Sequence, residues 1–351
     1  MRVNSIDHLR GCLAICIVIY HLTAWVFGPP DPSGFLAKIG LYGVSIFFCI
    51  SGAALYLAHY KDAINLRFLS LFFLRRYFRI APGYIVALTL FVFFHLIFSH
   101  YQKYSFETLL LNATLLFGFF DISGYVVTGG WSIGNEFVYY SLFPLIIIMM
   151  KKPFWSIIIL SLSIASWSFY GMFYIKPEIG IVEQWGEYIN PFNNIIFFVS
   201  GMFIAKVVLF KVGFRPKVGS FIALISLILL ILVDVSHSAT GLVTGQGRLW
   251  LTLLSIAIFL GVLLIGDLVS NRKLVIILNK LGELSFSLYI IHGITYYYML
   301  QLVGAHLDEI GKLMFCGMVF TVSIMLSLMI SYMIEKPFIK LSKKITLKLN
   351  D

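Results

Sequence analysis

Arg10 and His21 frame ten residues that are nearly all apolar, Gly11-Cys-Leu-Ala-Ile-Cys-Ile-Val-Ile-Tyr20. At about 100° per residue, eleven steps bring the two side chains to within about 20° of one helix face. They then lie roughly 16 Å apart along the axis. An arginine holds anions, and an imidazole takes and returns protons near neutral pH. Placed on one helix long enough to cross a bilayer, the pair suits a site that binds at one membrane surface and reacts inside. The plainer reading is an arginine snorkelling at the membrane edge and a histidine hydrogen-bonded within a bundle.

Three further groups could do chemistry. Phe73-Leu-Arg75-Arg76-Tyr-Phe-Arg79-Ile-Ala-Pro82 places Arg76 and Arg79 three residues apart, on one face if the segment is helical. Paired guanidinium forks suit phosphate, whereas lysine would serve equally well as a mere topology charge. Gly129-Gly130-Trp131-Ser132-Ile-Gly-Asn-Glu136-Phe-Val-Tyr139-Tyr140 opens an apolar run. Trp131 reads as an interface anchor there, and Glu136 lies more than a turn into the membrane, where a carboxylate needs a partner or a proton. Its plain alternative is a hydrogen bond that locks two helices. Leu281-Gly-Glu283-Leu-Ser285-Phe-Ser287-Leu-Tyr289-Ile-Ile-His292 carries a second deep histidine, about 18 Å up its span. His21, Glu136 and His292 are therefore expected to converge in the outer half of a bundle. Two histidines and an acid without i, i+4 spacing make a poor zinc set, and no metal is expected.

The elements that must position these residues are membrane helices. Charged residues make up 12% of the 351 and mean hydropathy is +0.94, whereas a soluble domain carries about 25% charge. The first apolar run has no small-residue cleavage site and reads as a retained span. The four cysteines lie within apolar runs and imply no disulfide framework. Ten spans are expected, at 9–27, 36–58, 80–99, 132–150, 155–174, 190–210, 217–234, 249–268, 284–302 and 313–334. The fold class is all-α, a polytopic bundle, with one membrane domain over 1–340 and a basic cytoplasmic tail over 341–351. With the N-terminus inside, 21 of the 26 Lys and Arg fall on the cytoplasmic side. Only Lys38, Lys103, Lys176, Arg248 and Lys312 remain outside, so both termini are expected in the cytoplasm. The net charge of +10 is then topology and not nucleic-acid binding. Gly43-Val-Ser45 through Ser51-Gly52 reads as a close helix-packing stripe and, second, a cavity wall. Pro337 is expected to stop the last helix, with Glu335 pairing to an arginine of the 59–79 loop.

In order along the chain, these pieces resemble the acyltransferase-3 family of integral membrane acyltransferases. The resemblance rests on Asp7-x-x-Arg10-Gly with His21, Phe-Phe-x-Ile-Ser51-Gly52, and Arg76-x-x-Arg79 with Pro82. It rests equally on Trp131-Ser132-x-x-x-Glu136 with Tyr140 and Pro144, Leu281-Gly through Tyr289 and His292, and Glu335-Lys-Pro337-Phe. It is to the short form, without an SGNH hydrolase-like domain, and is similar to O-antigen and surface-polysaccharide O-acetyltransferases. It implies transfer of an acetyl group from cytoplasmic acetyl-CoA to a cell-surface glycan, in the inner membrane of a bacterium. Acyl transfer to a hydroxyl needs a base and donors for the oxyanion. His21 is the expected base, with Glu136 or His292 to orient it or shuttle its proton. Arg10, Arg76 and Arg79 would hold the phosphates of CoA. Ser132, Tyr140 and Trp131 are candidates for contacts to the substrate or oxyanion. Direct transfer and an acyl-His21 relay both fit. Expected partners are acyl-CoA, the glycan acceptor and lipid, with a second copy or other polysaccharide-assembly proteins as further candidates. A glycan or lipid transporter, with Arg10 and His21 as its gate, is the alternative.

Overall fold

The computed structural model describes residues 3–98, 104–267, 272–303 and 308–348. Arg2 and Lys103 of the charge count lie outside them. In chain order the helices are α1 (Asn4–Val26), α2 (Phe35–His59), α3 (Leu66–Phe98), α4 (Phe106–Thr114), α5 (Phe117–Phe120) and α6 (Gly130–Met150). Then come α7 (Pro153–Phe169), α8 (Trp185–Ile189), α9 (Pro191–Val207), α10 (Pro216–Leu232), α11 (Ala239–Leu242) and α12 (Gly245–Ile265). The last three are α13 (Arg272–Val303), α14 (Glu309–Ile330) and α15 (Lys336–Lys348). Wider π-type turns follow α7, α9 and α14, over Tyr170–Tyr174, Val208–Val212 and Ser331–Glu335. No strand occurs among the described residues, and the fold is all-α. Nine helical segments among them have the length and hydropathy to cross a membrane. The tenth expected span is α10, whose 17 residues are at the short end of what a bilayer core requires.

Three expectations are corrected. The arginines of the 59–79 segment are helical, because α3 begins at Leu66 and runs through Pro82. Pro337 does not stop the last helix. It is the second residue of α15, which directly follows the wide turn Ser331–Glu335, and through that turn the helix runs on from α14 without a break. Most of the segment from 341 onward is the C-terminal part of that helix, with Lys340, Lys343, Lys344 and Lys348 exposed. Trp131 is 7% exposed, too buried for an interface anchor.

The chain forms two compact units. The first comprises 1–20, 28–62 and 142–283. Its helices approach closely where glycines remove side chains. Gly52 of α2 lies against the Phe198 carbonyl, and Gly201 of α9 against Cys49, as the packing stripe requires. Gly219 of α10 and Gly261 of α12 meet in the same way. Lys38 is fully buried, and its ammonium donates to the Ile231 and Val233 carbonyls at 3.3 and 2.6 Å. It thereby satisfies the open carbonyl end of α10. Gly11 and Gly282 let the starts of α1 and α13 cross. A Cβ at Gly11 would sit 2.7 Å from Leu281 Cβ, and one at Gly282 would strike the Asp7 backbone. Gly282→Ala should therefore destabilise the protein by about 1–3 kcal/mol. Its thermal midpoint in detergent, compared with that of Gly317→Ala in open space, checks this.

The second unit comprises 21–27, 63–141 and 284–351. Asn112 organises its 104–129 segment. The side-chain oxygen accepts from the Tyr84 hydroxyl at 2.7 Å and from Val126 N–H at 3.0 Å. Its amide donates to the Thr108 and Gly124 carbonyls. A fully buried amide with all these bonds made is a rigid peg, and it fixes the chain that leads into α6.

Candidate active site

Eight of the nine expected site residues lie in the second unit, and Arg10 lies in the first. Arg10 is half-buried and faces Asp7 one turn earlier, at 3.6 Å.

The last turns of α1 carry His21 and Trp25, four residues apart and therefore on one face. On α13, Tyr289, His292 and Tyr296 share a face for the same reason. These rings interleave. His21 and His292 have ring centroids 5.2 Å apart, and Trp25 stacks on both, at 5.0 and 5.8 Å. Tyr296 closes the stack against Trp25 at 4.7 Å. The structure thus brings together two of the three residues expected to act on protons.

His292 is fully buried. Its Nδ1 lies 3.3 Å from the Leu288 carbonyl, which can only accept. In the neutral ring the proton therefore sits on Nδ1, and Nε2 presents a lone pair. That Nε2 is buried without a hydrogen-bond partner among the described residues. Such an orphan costs about 1–3 kcal/mol, so its retention points to a use.

Beside the stack, α6 starts on a built turn. Gly129 has φ +75°. Its carbonyl accepts from the Ser132 hydroxyl and the Tyr289 hydroxyl, both at 3.0 Å, and those two hydroxyls lie 2.9 Å apart. Only glycine fits: the backbone is left-handed, and a Cβ would meet the Tyr289 hydroxyl at 2.6 Å. Ser132 is thus tied to Tyr289, one turn before His292.

A second cluster joins α3 and α6. The Tyr140 hydroxyl donates to the Glu136 carboxylate, one turn away on the same helix. The Arg76 guanidinium lies 5.5 Å from the ring centres of both Tyr140 and Phe72. Its Nε is buried without a hydrogen-bond partner among the described residues. Arg79, one turn on, is exposed. Glu335 accepts from the Ser287 hydroxyl; among the described residues no arginine reaches ion-pair distance of it, and Arg79 acts on it only through space. The partner described for Glu136 is a tyrosine, whereas those described for His21 are Trp25 and His292.

Sequence reasoning passed over Trp25 and Tyr296, and gave Tyr289 a place in the family motif but no role. Their signal was present in the i+4 and i−3 spacing from the two histidines. Among the described residues no three metal-ligating side chains cluster.

The chemistry available is therefore a close imidazole pair, one ring fully buried, with a neighbouring hydroxyl network, and a partly unsatisfied arginine on an aromatic bed. A family model, described as an acyltransferase domain of the acyltransferase-3 type, matches residues 3–333 and so spans both units. Comparison with curated proteins and with solved structures gives no match. The chain belongs to the acyltransferase-3 family and is a multi-pass membrane acyltransferase.

Proposed function

We propose that the protein is an O-acetyltransferase that moves acetyl from cytoplasmic acetyl-CoA to a hydroxyl of a cell-surface glycan. The acceptor class is an O-antigen, an exopolysaccharide or a lipid-linked repeat. The observation that carries this reading is the His21–His292 pair, whose His292 Nε2 keeps a free lone pair. In this reading His21 takes the acceptor hydroxyl's proton, and His292 positions it or relays that proton. The oxygen attacks the thioester carbonyl carbon, the C–O bond forms, and the C–S bond breaks. The imidazolium then returns the proton to the leaving sulfur, giving the acetyl ester and free CoA. In this reading the Ser132 or Tyr289 hydroxyl turns from the Gly129 carbonyl, which both share as acceptor, to donate to the oxyanion, and Tyr140 and Trp131 line the substrate path.

Arg76 and Arg79 hold the phosphates of CoA, and Glu136 acts through Tyr140 and Arg76. Arg10 belongs to the other unit, and its part in donor binding rests on the family motif. The excess of Lys and Arg in alternate loops supports both termini in the cytoplasm of a bacterial inner membrane.

The test uses the purified protein in nanodiscs with labelled acetyl-CoA and a lipid-linked glycan. CoA thiol release, matched by one acetyl gained per acceptor, is the expected result. Glycan movement across vesicles without CoA release overturns this reading in favour of transport.

A further inference from the structure

α14, the wide turn Ser331–Glu335 and α15 form one helical run, Glu309–Lys348. Its exposed apolar side can be followed past the turn. Met325, Met329 and Met333 recur every four residues, and all three are more than half exposed, as lipid-facing side chains of a span are. Phe338 comes five residues after Met333. In an α-helix five steps turn about 140° away from the starting face. The wide turn removes that offset. Lys336 N–H bonds to the Ser331 carbonyl, five residues back, so residues five apart share a face there. Phe338 and then Leu341, both exposed, therefore continue the methionine strip into α15.

α15 divides into three sides. Ser342 and Thr346 are buried, and Arg75 of α3 donates from Nε to the Thr346 hydroxyl at 3.3 Å. Phe338 also meets Phe78 of α3, with ring centres 6.0 Å apart. One side of the helix is thus fixed on α3. The second side is the exposed strip of Phe338 and Leu341. Lys344 and Lys348 stand three and seven residues after Leu341 and so border that strip. Lys340 and Lys343 occupy the third side. All four lysines are exposed, and none pairs with a carboxylate among the described residues. Residues 66–79 carry four arginines and residues 336–348 five lysines, with no Asp or Glu in either stretch. A bare topology signal needs cations near the membrane but no particular helix face. Here the lysines rim an apolar strip that runs on from a membrane span. Such a strip bordered by lysines suits a helix at the boundary of acyl chains and headgroups. The stems of Lys344 and Lys348 can lie along the strip while their ammonium groups reach phosphate.

We propose that α15 is a docking surface for anionic phospholipid. Phe338 and Leu341 enter the acyl boundary, and Lys344 and Lys348, with Lys340 and Lys343 behind them, draw the headgroup phosphates. The uncompensated positive charge selects an anionic headgroup over a zwitterionic one, which carries its own cation. A soluble acidic protein would match the lysines, but it would not account for an apolar strip continuous with lipid-facing methionines. This surface is independent of the acetyl-transfer reading and survives if that reading fails.

The test titrates the full-length protein in neutral detergent with phosphatidylglycerol, phosphatidylcholine or polyglutamate, and reads bound ligand by native mass spectrometry. The parent should bind phosphatidylglycerol about tenfold or more tighter than phosphatidylcholine, less so at high salt. Lys344→Gln with Lys348→Gln should lower phosphatidylglycerol affinity by roughly 10- to 30-fold, at about fivefold per lysine. Lys152→Gln with Lys217→Gln removes the same charge from exposed positions elsewhere and should leave that affinity near the parent's. Leu341→Ser should weaken both lipids alike and keep the preference between them. All these side chains are exposed, so the fold does not depend on them. A parent with no preference for phosphatidylglycerol overturns the proposal. So does a double variant of α15 that binds as the parent does, or an equal loss in the charge-matched control. Lysine-dependent binding of polyglutamate without a lipid preference assigns the surface to an acidic protein instead.

Discussion

Replacing His21 by Ala is expected to lower acetyl transfer by on the order of 10²–10⁴, with insertion and yield unchanged. The residue is half-buried at the end of a helix whose backbone bonds do not depend on it, so the loss should be chemical. His292 is fully buried, and Ala there would also open a cavity. His292→Gln is the better probe, since it fills similar space but cannot shuttle a proton. It should reduce kcat within the same range while the thermal midpoint stays near the parent's. The double variant distinguishes a pair from two separate roles. Residues that act as one unit are non-additive, so His21→Ala with His292→Gln should cost little more than the worse single change. Multiplicative losses would separate the two rings. Near-normal transfer by His21→Ala would remove it as the base and leave the role to His292.

The spans were legible because apolar runs of membrane length are rare outside membranes and each carries its own hydropathy. The two histidines were legible for the complementary reason. An ionisable group in such a run is expensive and stands out residue by residue. What stayed hidden depends on residues far apart in sequence. Arg248 reads as a topology charge until Trp167 and Asn193 are brought to it. Lys38 likewise reads as a loop cation until the end of α10 supplies its carbonyls. Helix ends were the other blind spot. Charged residues at 66–79 lower the hydropathy and mask a helix that local propensity permits, since Arg and Leu are good helix formers. The partner of Glu136 lay within reach: Tyr140 is four residues on and therefore on the same face.

Arg76→Ala should weaken acetyl-CoA binding by roughly 10- to 150-fold. That range corresponds to losing one hydrogen bond to a charged group, about 1.5–3 kcal/mol. The guanidinium is held between Phe72 and Tyr140, so its long side chain is already ordered before a ligand arrives. Ordering costs are then small, and most of a phosphate contact should appear as affinity. Lys at this position keeps the charge but loses the planar fork, and it should recover only part of the loss. Glu136→Gln separates the neighbouring roles. It preserves size and can still accept from the Tyr140 hydroxyl, but it removes the negative charge. If Glu136 serves the chemistry, kcat should fall while the Kd for acetyl-CoA stays close to the parent's. If it serves only to hold Arg76 in place through Tyr140, then Glu136→Gln and Tyr140→Phe should both raise that Kd and leave kcat alone. Calorimetric titration of acetyl-CoA alongside steady-state rates reads both quantities on the same preparations. An Arg76→Ala protein that binds acetyl-CoA as tightly as the parent would reduce the arginines of α3 to topology signals.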